Sequence, residues 1–164
     1  MKKKILISIP AYNEANNIRP LYKKLNETLE EKRDEVDFEI LFINDGSKDN
    51  TVSEVLSLIE QTDNVSLIDL SRNYGKEIAM SAGFDYSTHD AVITMDADLQ
   101  HPPATIIDMI DLWQQGYEEV YAKRNQRKGE SWFKKTSSKW FYKVLGKLAN
   151  TPVLPDARSE ARRV

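Results

Sequence analysis

Short apolar runs alternate with amphipathic segments along most of the chain, and this alternation limits the possible folds more than any other feature. The runs read KILISI, FEILFIN, VSLIDL, AVITM and EEVYAKR, and the segments between them have apolar residues at helical spacing. Strands that alternate with helices form a parallel sheet, because each crossover helix returns the chain to the same end of the sheet. The sequence therefore predicts an α/β fold, with a Rossmann-like, mostly parallel sheet and helices on both faces.

The bounds of these elements follow from turn and capping residues. Pro10 has no N–H group and is predicted to end the first strand, and Asp49 or Asn50 is predicted to cap the second helix. Pro103 suits the first turn of a helix, and Gly116 suits a helix end. The predicted strands cover residues 4–9, 38–44, 65–70, 91–95 and 118–124, and the predicted helices cover residues 16–32, the segment from the Asp49 or Asn50 cap to residue 60, and residues 76–86, 103–115 and 131–149.

Three polar loops follow strands of this predicted sheet at the point where each strand ends. They read PAYNEANN after the first strand, NDGSKDN after the second and DADLQHPP after the fourth. The carboxyl ends of parallel strands share one edge, which is where such sheets bind their ligands. The sequence therefore predicts a binding site that these three loops form together.

The loop after the fourth strand carries Asp96 and Asp98, spaced i, i+2, and then Gln100. In an extended segment these three side chains point to one side and offer hard oxygen ligands for Mg²⁺, Mn²⁺ or Ca²⁺. Paired acids also cap helices and line solvated turns, so the pair by itself leaves both interpretations open. His101 is predicted to be a loop residue that bonds to backbone, and not a metal ligand.

Composition excludes several other classes of site. The chain has no cysteine and only two histidines, which excludes disulfides and thiolate metal sites and disfavours zinc. No glycine precedes Gly46, so the glycine-rich turn of dinucleotide-binding proteins is absent, and the GxxxxGK[ST] phosphate loop is absent as well. A diphosphate at this edge of the sheet therefore needs another counter-charge, and a divalent cation is the predicted one.

The charge of the chain is unevenly distributed, although its net value is only −3. Residues 123–147 contain nine lysines and arginines against a single acid. Residues 131–149 read as a helix on which Phe133, Trp140 and Val144 share one face. Such a helix suits the headgroup region of a membrane, and it also suits packing of its aromatic face on the sheet. No run reaches the ~18 apolar residues of a membrane span, so the chain is predicted to be soluble or peripheral and to face the cytoplasm.

Four motifs, taken in order, resemble those of the family 2 glycosyltransferases of the GT-A fold. They read ISIPAYNEANNI, FINDGSKDNT, LSRNYGKEIAMSAGF and MDADLQHPP, and the resemblance covers roughly residues 5–127. The subgroup that these motifs resemble is the polyprenyl-phosphate glycosyltransferases. The resemblance implies inverting transfer of a hexose from a nucleotide diphosphate sugar, with UDP favoured, to polyprenyl phosphate at the cytoplasmic face of the membrane.

The resemblance implies nucleotide contacts for residues of the first three motifs. Pro10, Tyr12 and Glu14 would line the base and ribose pocket, and Asp45 would also contact the nucleoside. Lys76 would lie near the nucleotide, although an exposed lysine in the first turn of a helix needs no such role.

The resemblance also implies the residues that act on the diphosphate. Asp96, Asp98 and Gln100 would hold Mg²⁺ or Mn²⁺ on it, and Asp96 would also contact the nucleotide. Asp98 and Arg124 would be the catalytic residues, with Arg124 near the diphosphate or the acceptor phosphate. Arg127 is a second candidate for that place, and an ordinary basic loop is the alternative for both arginines.

The resemblance further implies a division of the chain. Residues 1–130 would form the nucleotide-sugar-binding core, and residues 131–164 would form a basic aromatic helix and a truncated or divergent acceptor-side tail, in which Glu160 and Ala161 replace an expected Asp and Phe. Transfer to a soluble or polysaccharide acceptor, and nucleotide-sugar binding without turnover, stay open as alternatives. The expected partners are a nucleotide-sugar donor, a lipid phosphate acceptor and a membrane surface reached through residues 131–149, and no nucleic acid.

Overall fold

The computed structural model describes residues 2–99 and 103–122, which form a parallel sheet covered by helices. In chain order the elements are β1 (Lys3–Ala11), α1 (Ala15–Leu29), a 3₁₀ turn (Glu30–Lys32), β2 (Val36–Asn44), α2 (Thr51–Ile59), β3 (Val65–Asp69), α3 (Lys76–Tyr86), β4 (Ala91–Thr94) and α4 (Ala104–Gln114). The strand order is β3-β2-β1-β4, and each neighbouring pair is parallel. The predicted parallel sheet is confirmed, and α3 has the bounds that its sequence pattern predicts.

Alternation along β1 places apolar side chains on both faces of the sheet. Ile5, Ile7 and Ile9 belong to the larger core, which α1, α2 and α4 cover with buried apolar residues. Leu6 belongs to a smaller core on the opposite face, to which α3 contributes Ala79. A strand that is buried on both faces reads as a continuous apolar run, which is why KILISI gives so clear a strand signal. Helices on both faces are therefore confirmed.

The prediction that Pro10 ends the first strand is wrong, because β1 continues to Ala11. Alternate residues of β1 bond to opposite neighbours: the Ser8 carbonyl accepts the Met95 N–H from the β4 side, and the Ala11 carbonyl accepts the Asp45 N–H from the β2 side. Pro10 follows the pattern of Ser8, so the N–H group that it lacks would face the β4 side. Pairing with β4 ends at Ser8 and Thr94, so no ladder bond is lost there.

The predicted fifth strand is also wrong for the residues that can be checked. Glu118–Ala122 are described and carry no strand, while residues 123 and 124 lie outside the described part of the chain. A strand needs a hydrogen-bonded neighbour, and none of the described strands pairs with these residues. The predicted helix over residues 131–149 likewise lies outside the described residues. Within residues 2–99 and 103–122, no helix combines the length and apolar character that a bilayer crossing requires.

α3 approaches the sheet closely because Gly83 has no side chain. A Cβ atom at this position would lie 2.3 Å from the Ser8 Oγ and 2.8 Å from the Ile43 Cδ1, well inside normal contact. The Ser8 hydroxyl is buried and has no hydrogen-bond partner among the described residues. Close helix–sheet packing therefore depends on one glycine placed over one unbonded hydroxyl.

Gly83→Ala should lower the free energy of unfolding by about 1–3 kcal/mol, because the added methyl group overpacks the interface between α3 and β1. Ser8→Ala should change stability little or raise it, since it removes a buried hydroxyl without a partner. The double variant should recover part of the loss, because its new methyl group no longer meets the Ser8 Oγ. Urea denaturation of the four proteins measures this coupling, and strictly additive effects would contradict it.

Candidate functional site

The loops after β1 and β2 are joined by hydrogen bonds at the carboxyl edge of the sheet. The Asn13 backbone N–H donates to the Ser47 Oγ at 2.9 Å, and the Lys48 backbone N–H donates to the Asn13 Oδ1 at 2.8 Å. The Glu14 backbone N–H donates to the Thr51 Oγ1 at 2.9 Å. Asn13 has a φ of 56°, a left-handed conformation in which asparagine is enriched. The predicted meeting of these two loops is thus confirmed.

The residues predicted to line a base and ribose pocket lie on the first of these loops. Tyr12 is 43% exposed, so its ring is open to contact with a ligand. The Glu14 carboxylate accepts a hydrogen bond of 2.5 Å from the Asn17 Nδ2, which holds it beside the start of α1. Pro10 precedes this loop, near the end of β1, and is half-buried. The structure therefore gathers Pro10, Tyr12 and Glu14 at the predicted edge.

Asp45 anchors the loop that precedes α3. This residue is only 3% exposed, and its carboxylate accepts hydrogen bonds from the backbone N–H groups of Tyr74 at 2.7 Å and Gly75 at 3.0 Å. The neighbouring Gly46 has a φ of +67°, and a Cβ there would lie 2.3 Å from the Arg72 carbonyl carbon. The second loop therefore fits tightly against residues 72–75, a structural role for Asp45 that its sequence context did not indicate.

Asp49 stabilises the start of α2 and also reaches α1. Its carboxylate accepts hydrogen bonds from the Thr51 backbone N–H at 3.0 Å and the Thr51 Oγ1 at 2.5 Å, and from the Ala15 backbone N–H at 3.2 Å. Desolvation raises the pKa of Asp49, but the hydrogen bonds from Thr51 and Ala15 outweigh it and leave the pKa below its usual value. The predicted alternative cap, Asn50, makes no side-chain hydrogen bond at this end of the helix.

Lys76 and Asp96 form an ion pair between the Lys76 Nζ and the Asp96 Oδ1. Lys76 is the first residue of α3, and Asp96 follows β4, so the contact brings two of the four sequence motifs together. The Lys76 side chain is 56% exposed and the Asp96 side chain 34% exposed. The plainer interpretation of Lys76, an exposed lysine with no role at the site, is therefore incomplete.

The backbone around Asp96 and Asp98 differs from the extended segment that the sequence suggested. Pairing of β4 ends at Thr94, Ala97 and Asp98 lie in a turn, and Leu99 has a φ of 57°. The Met95 N–H still donates to the Ser8 carbonyl of β1, and the chain bends after it. Ala97 is nonetheless buried while both acids are half-buried, so both carboxylates stay accessible from solvent.

Asp96 and Asp98 fit the donor chemistry of a divalent ion. Both supply oxygen ligands, and Asp96 already binds a positive group, the Lys76 ammonium. Within the described residues, no group of three or more His, Cys, Asp or Glu side chains could hold a metal on its own. Mg²⁺ commonly takes one or two carboxylates and completes its shell with substrate phosphates and water, so two acids are a sufficient contribution. The predicted third ligand, Gln100, lies outside the described residues, as do His101, Arg124 and Arg127.

A cavity of about 700 Å³ lies elsewhere, along the outer edge of β4 and beneath α4. Its lining includes Lys3, His89 and Trp113, and none of the residues predicted to bind nucleotide or metal. The Lys3 ammonium lies 5.3 Å from the centre of the Trp113 ring there. This cavity is therefore separate from the carboxyl-edge site.

Residues 6–159 match the model of the glycosyl transferase family 2. The chain belongs to this family. Its curated relatives include a bactoprenol glucosyl transferase of Shigella phage SfX, which is 41% identical over 92% of this chain and 48% of its own length. An uncharacterised glycosyltransferase of a Synechocystis strain is 42% identical over 95% of this chain and 48% of its own length. The chain thus spans about half the length of the curated relatives it matches.

Solved structures of glycosyltransferases share the fold of this family member. A mannosyltransferase from Pyrobaculum calidifontis, in complex with GDP-mannose and Mn²⁺, aligns with a TM-score of 0.61 at 21% identity and covers 88% of this chain and 39% of its own. A glucosyl-3-phosphoglycerate synthase from Mycobacterium tuberculosis, in complex with UDP, aligns with a TM-score of 0.60 at 16% identity and covers 89% of this chain and 52% of its own. The fold is therefore the GT-A fold, as the motifs led us to expect.

Two site residues escaped sequence reasoning. Asn44 is 3% exposed; its Nδ2 donates to the Asp69 Oδ1 at 2.7 Å and its Oδ1 accepts the Ser47 N–H at 3.1 Å. Asn13 joins the first two loops, as described above. For Asn44, an asparagine at the end of an apolar strand is the local signal of such a role, because side-chain amides commonly bond to turn backbone.

Proposed function

We propose that this chain is the donor-binding part of an inverting glycosyltransferase that moves a hexose from a nucleotide diphosphate sugar to polyprenyl phosphate. The observation that carries the proposal is that the carboxyl ends of β1, β2 and β4 lie at one edge of the sheet, where the strand order reverses. From β1 the chain steps outward to β2 and β3, and then returns to β4 on the other side of β1. Ligands of open α/β sheets bind in the crevice at such a reversal.

The accessible residues of this crevice suit a nucleotide sugar. Tyr12 and Glu14 offer an aromatic face and a carboxylate for the nucleoside, while Pro10 lies near the end of β1 and the buried Asp45 follows β2. Asp96, Asp98 and Gln100 would hold Mg²⁺ or Mn²⁺, which when bound would supply Lewis-acid stabilisation of the charge on the leaving diphosphate. The 41% identity of a bactoprenol glucosyl transferase to this chain, over 92% of the chain, supports a lipid phosphate as the acceptor. UDP is favoured over GDP because the motifs resemble those of the polyprenyl-phosphate subgroup.

The acceptor needs positioning more than deprotonation. A phosphate monoester has a second pKa of about 6, so it is largely ionised near neutral pH and can attack without a general base. Its oxygen forms the new bond to the anomeric carbon as the bond to the diphosphate oxygen breaks, and the electron pair of that bond leaves on the nucleoside diphosphate. In this proposal Arg124 holds the acceptor phosphate through charge-assisted hydrogen bonds.

The basic segment, residues 131–149, supports a membrane location for the proposed reaction. Residues 131–149 combine lysines with tryptophan and phenylalanine, a composition that suits the anionic headgroup region of a membrane. In this proposal the segment holds the donor site at the cytoplasmic face of the membrane, within reach of a lipid-linked acceptor.

Transfer of a radiolabelled hexose tests the proposal directly. The full-length protein with Mn²⁺, polyprenyl phosphate and a labelled UDP-sugar should move label into the organic phase, and EDTA should abolish the transfer. GDP-sugars tested in parallel should give less product. Label transferred only to a water-soluble acceptor would contradict the proposal of a lipid acceptor. Nucleotide binding with no product from any donor would contradict the proposal that the protein catalyses sugar transfer.

A further inference from the structure

The backbone of Lys76 is held in place at the start of α3, whereas its side-chain ammonium can change position. Its peptide follows Gly75, whose N–H group is bonded to the buried Asp45 carboxylate at 3.0 Å. α3 begins at Lys76 and packs on the sheet through Ala79 and Gly83, so the helix start cannot shift easily. The Lys76 side chain is in contrast 56% exposed. A lysine stem has four carbons, so its ammonium can reorient without any movement of the helix.

The carboxylate that Lys76 contacts is one that the divalent ion is proposed to use. An ammonium and a divalent cation on the same carboxylate repel one another, and the ammonium holds the Asp96 Oδ1 in this structure. A partly exposed ion pair is weak, because water screens it and holding two side chains together costs entropy. A divalent ion that binds Asp96 therefore competes with the Lys76 ammonium, and the ion pair is weak enough for the ion to displace it.

The displaced ammonium has an obvious new partner once donor is bound. A nucleoside diphosphate brings negative oxygens to the same edge of the sheet, and a lysine ammonium readily binds phosphate as a point charge. We propose that Lys76 is an exchangeable cation, which neutralises Asp96 while the site is empty and moves to the diphosphate when the metal takes its place. This inference rests on the proposed function and adds an order of events to it.

The exchange predicts effects of opposite sign on two ligands. Lys76→Gln should bind Mn²⁺ alone about twofold to fivefold more tightly, the size expected when a partly exposed ion pair is removed. The same variant should bind UDP in saturating Mn²⁺ about tenfold more weakly, since it loses a charged hydrogen bond to the diphosphate. Lys24→Gln, which removes an equal charge from the exposed face of α1, should change neither affinity. Electron paramagnetic resonance of free Mn²⁺ and calorimetry with UDP give the two constants.

Each other pattern of affinities overturns the exchange. If Lys76→Gln binds UDP more weakly but Mn²⁺ as wild type does, Lys76 is a diphosphate ligand that does not compete with the metal. If it binds Mn²⁺ more tightly but UDP as wild type does, the ammonium does not move to the diphosphate. If wild-type Mn²⁺ binding depends on Asp98 but not on Lys76, the exchange fails while the proposed function stands. If neither wild type nor Lys76→Gln binds Mn²⁺, the exchange and the metal role in the proposed function both fail.

Chemical labelling follows the ammonium itself in the wild-type protein. Reductive methylation of lysines, read by mass spectrometry, should modify Lys76 faster when Mn²⁺ alone is added and more slowly when UDP and Mn²⁺ are added together. Lys24 is the internal reference, because its exposure does not depend on the site. A ratio of Lys76 to Lys24 labelling that stays constant across the three conditions would contradict the proposed movement.

Discussion

Asp98→Asn should reduce sugar transfer by the full-length protein by about 10²–10³-fold, while the protein remains folded. Loss of a carboxylate ligand weakens the hold on an ion that is proposed to offset several kcal/mol of charge on the leaving diphosphate. Asp98 is half-buried in a turn outside the sheet, so its amide counterpart should fit and change stability by less than about 1 kcal/mol. Initial rates of transfer at saturating donor, with urea denaturation alongside, measure both effects.

Asp108→Asn is the matched control for this variant. Asp108 is exposed on α4, close in sequence to the site but outside the three loops that form it, and it loses the same charge. Its rate of transfer should stay close to that of wild type. A fall of similar size in both variants would show that net charge, and not a ligand at Asp98, controls the rate.

Asp45→Ala should lower the free energy of unfolding by about 2–4 kcal/mol. The substitution removes two hydrogen bonds from the Tyr74 and Gly75 N–H groups to a buried carboxylate, and a hydrogen bond to a charged group contributes roughly 1.5–3 kcal/mol. It also frees the backbone in front of Lys76, so UDP binding should weaken even where the protein is folded. Urea denaturation and hydrogen exchange at the two amides measure the loss and its location.

Asp85→Ala provides the comparison for Asp45→Ala. Asp85 is exposed on α3, where its removal should change stability by no more than about 0.5 kcal/mol. Unchanged exchange at Tyr74 and Gly75 in Asp45→Ala would mean that these amides find another acceptor, and the anchoring role of Asp45 would then be wrong.

Much of the scaffold was predictable because its signals are local. Continuous apolar runs identify strands buried on both faces, and the spacing of apolar residues identifies the helices between them. These two sequence patterns, apolar runs and helical spacing, suffice to predict a parallel sheet and the edge where its loops lie. The Pro10 prediction failed because a missing N–H group matters only if a strand lies on that side. The strand prediction for EEVYAKR failed over Glu118–Ala122 because a short apolar run does not supply a pairing partner.

The site was predictable in outline and not in its contacts. The positions of Tyr12, Glu14 and Asp96 at one edge follow from strand direction. The partners of Asp45 and Lys76 do not, because they lie 29 and 20 residues away in the chain and meet only when α3 packs on the sheet. No residue pattern around Asp45 or Lys76 indicates which distant residue becomes its partner.

The sequence by itself determined the fold class, the membership of the chain in a glycosyltransferase family and the edge of the sheet that carries the acidic motif. Apolar periodicity and motif order are properties of neighbouring residues, so they are readable before folding. Only the tertiary structure decided that Asp45 accepts hydrogen bonds from the backbone that precedes α3 and that Asp96 forms an ion pair with Lys76. Both follow from the packing of α3 against β1 and β2, which places polar groups from distant segments within hydrogen-bond reach.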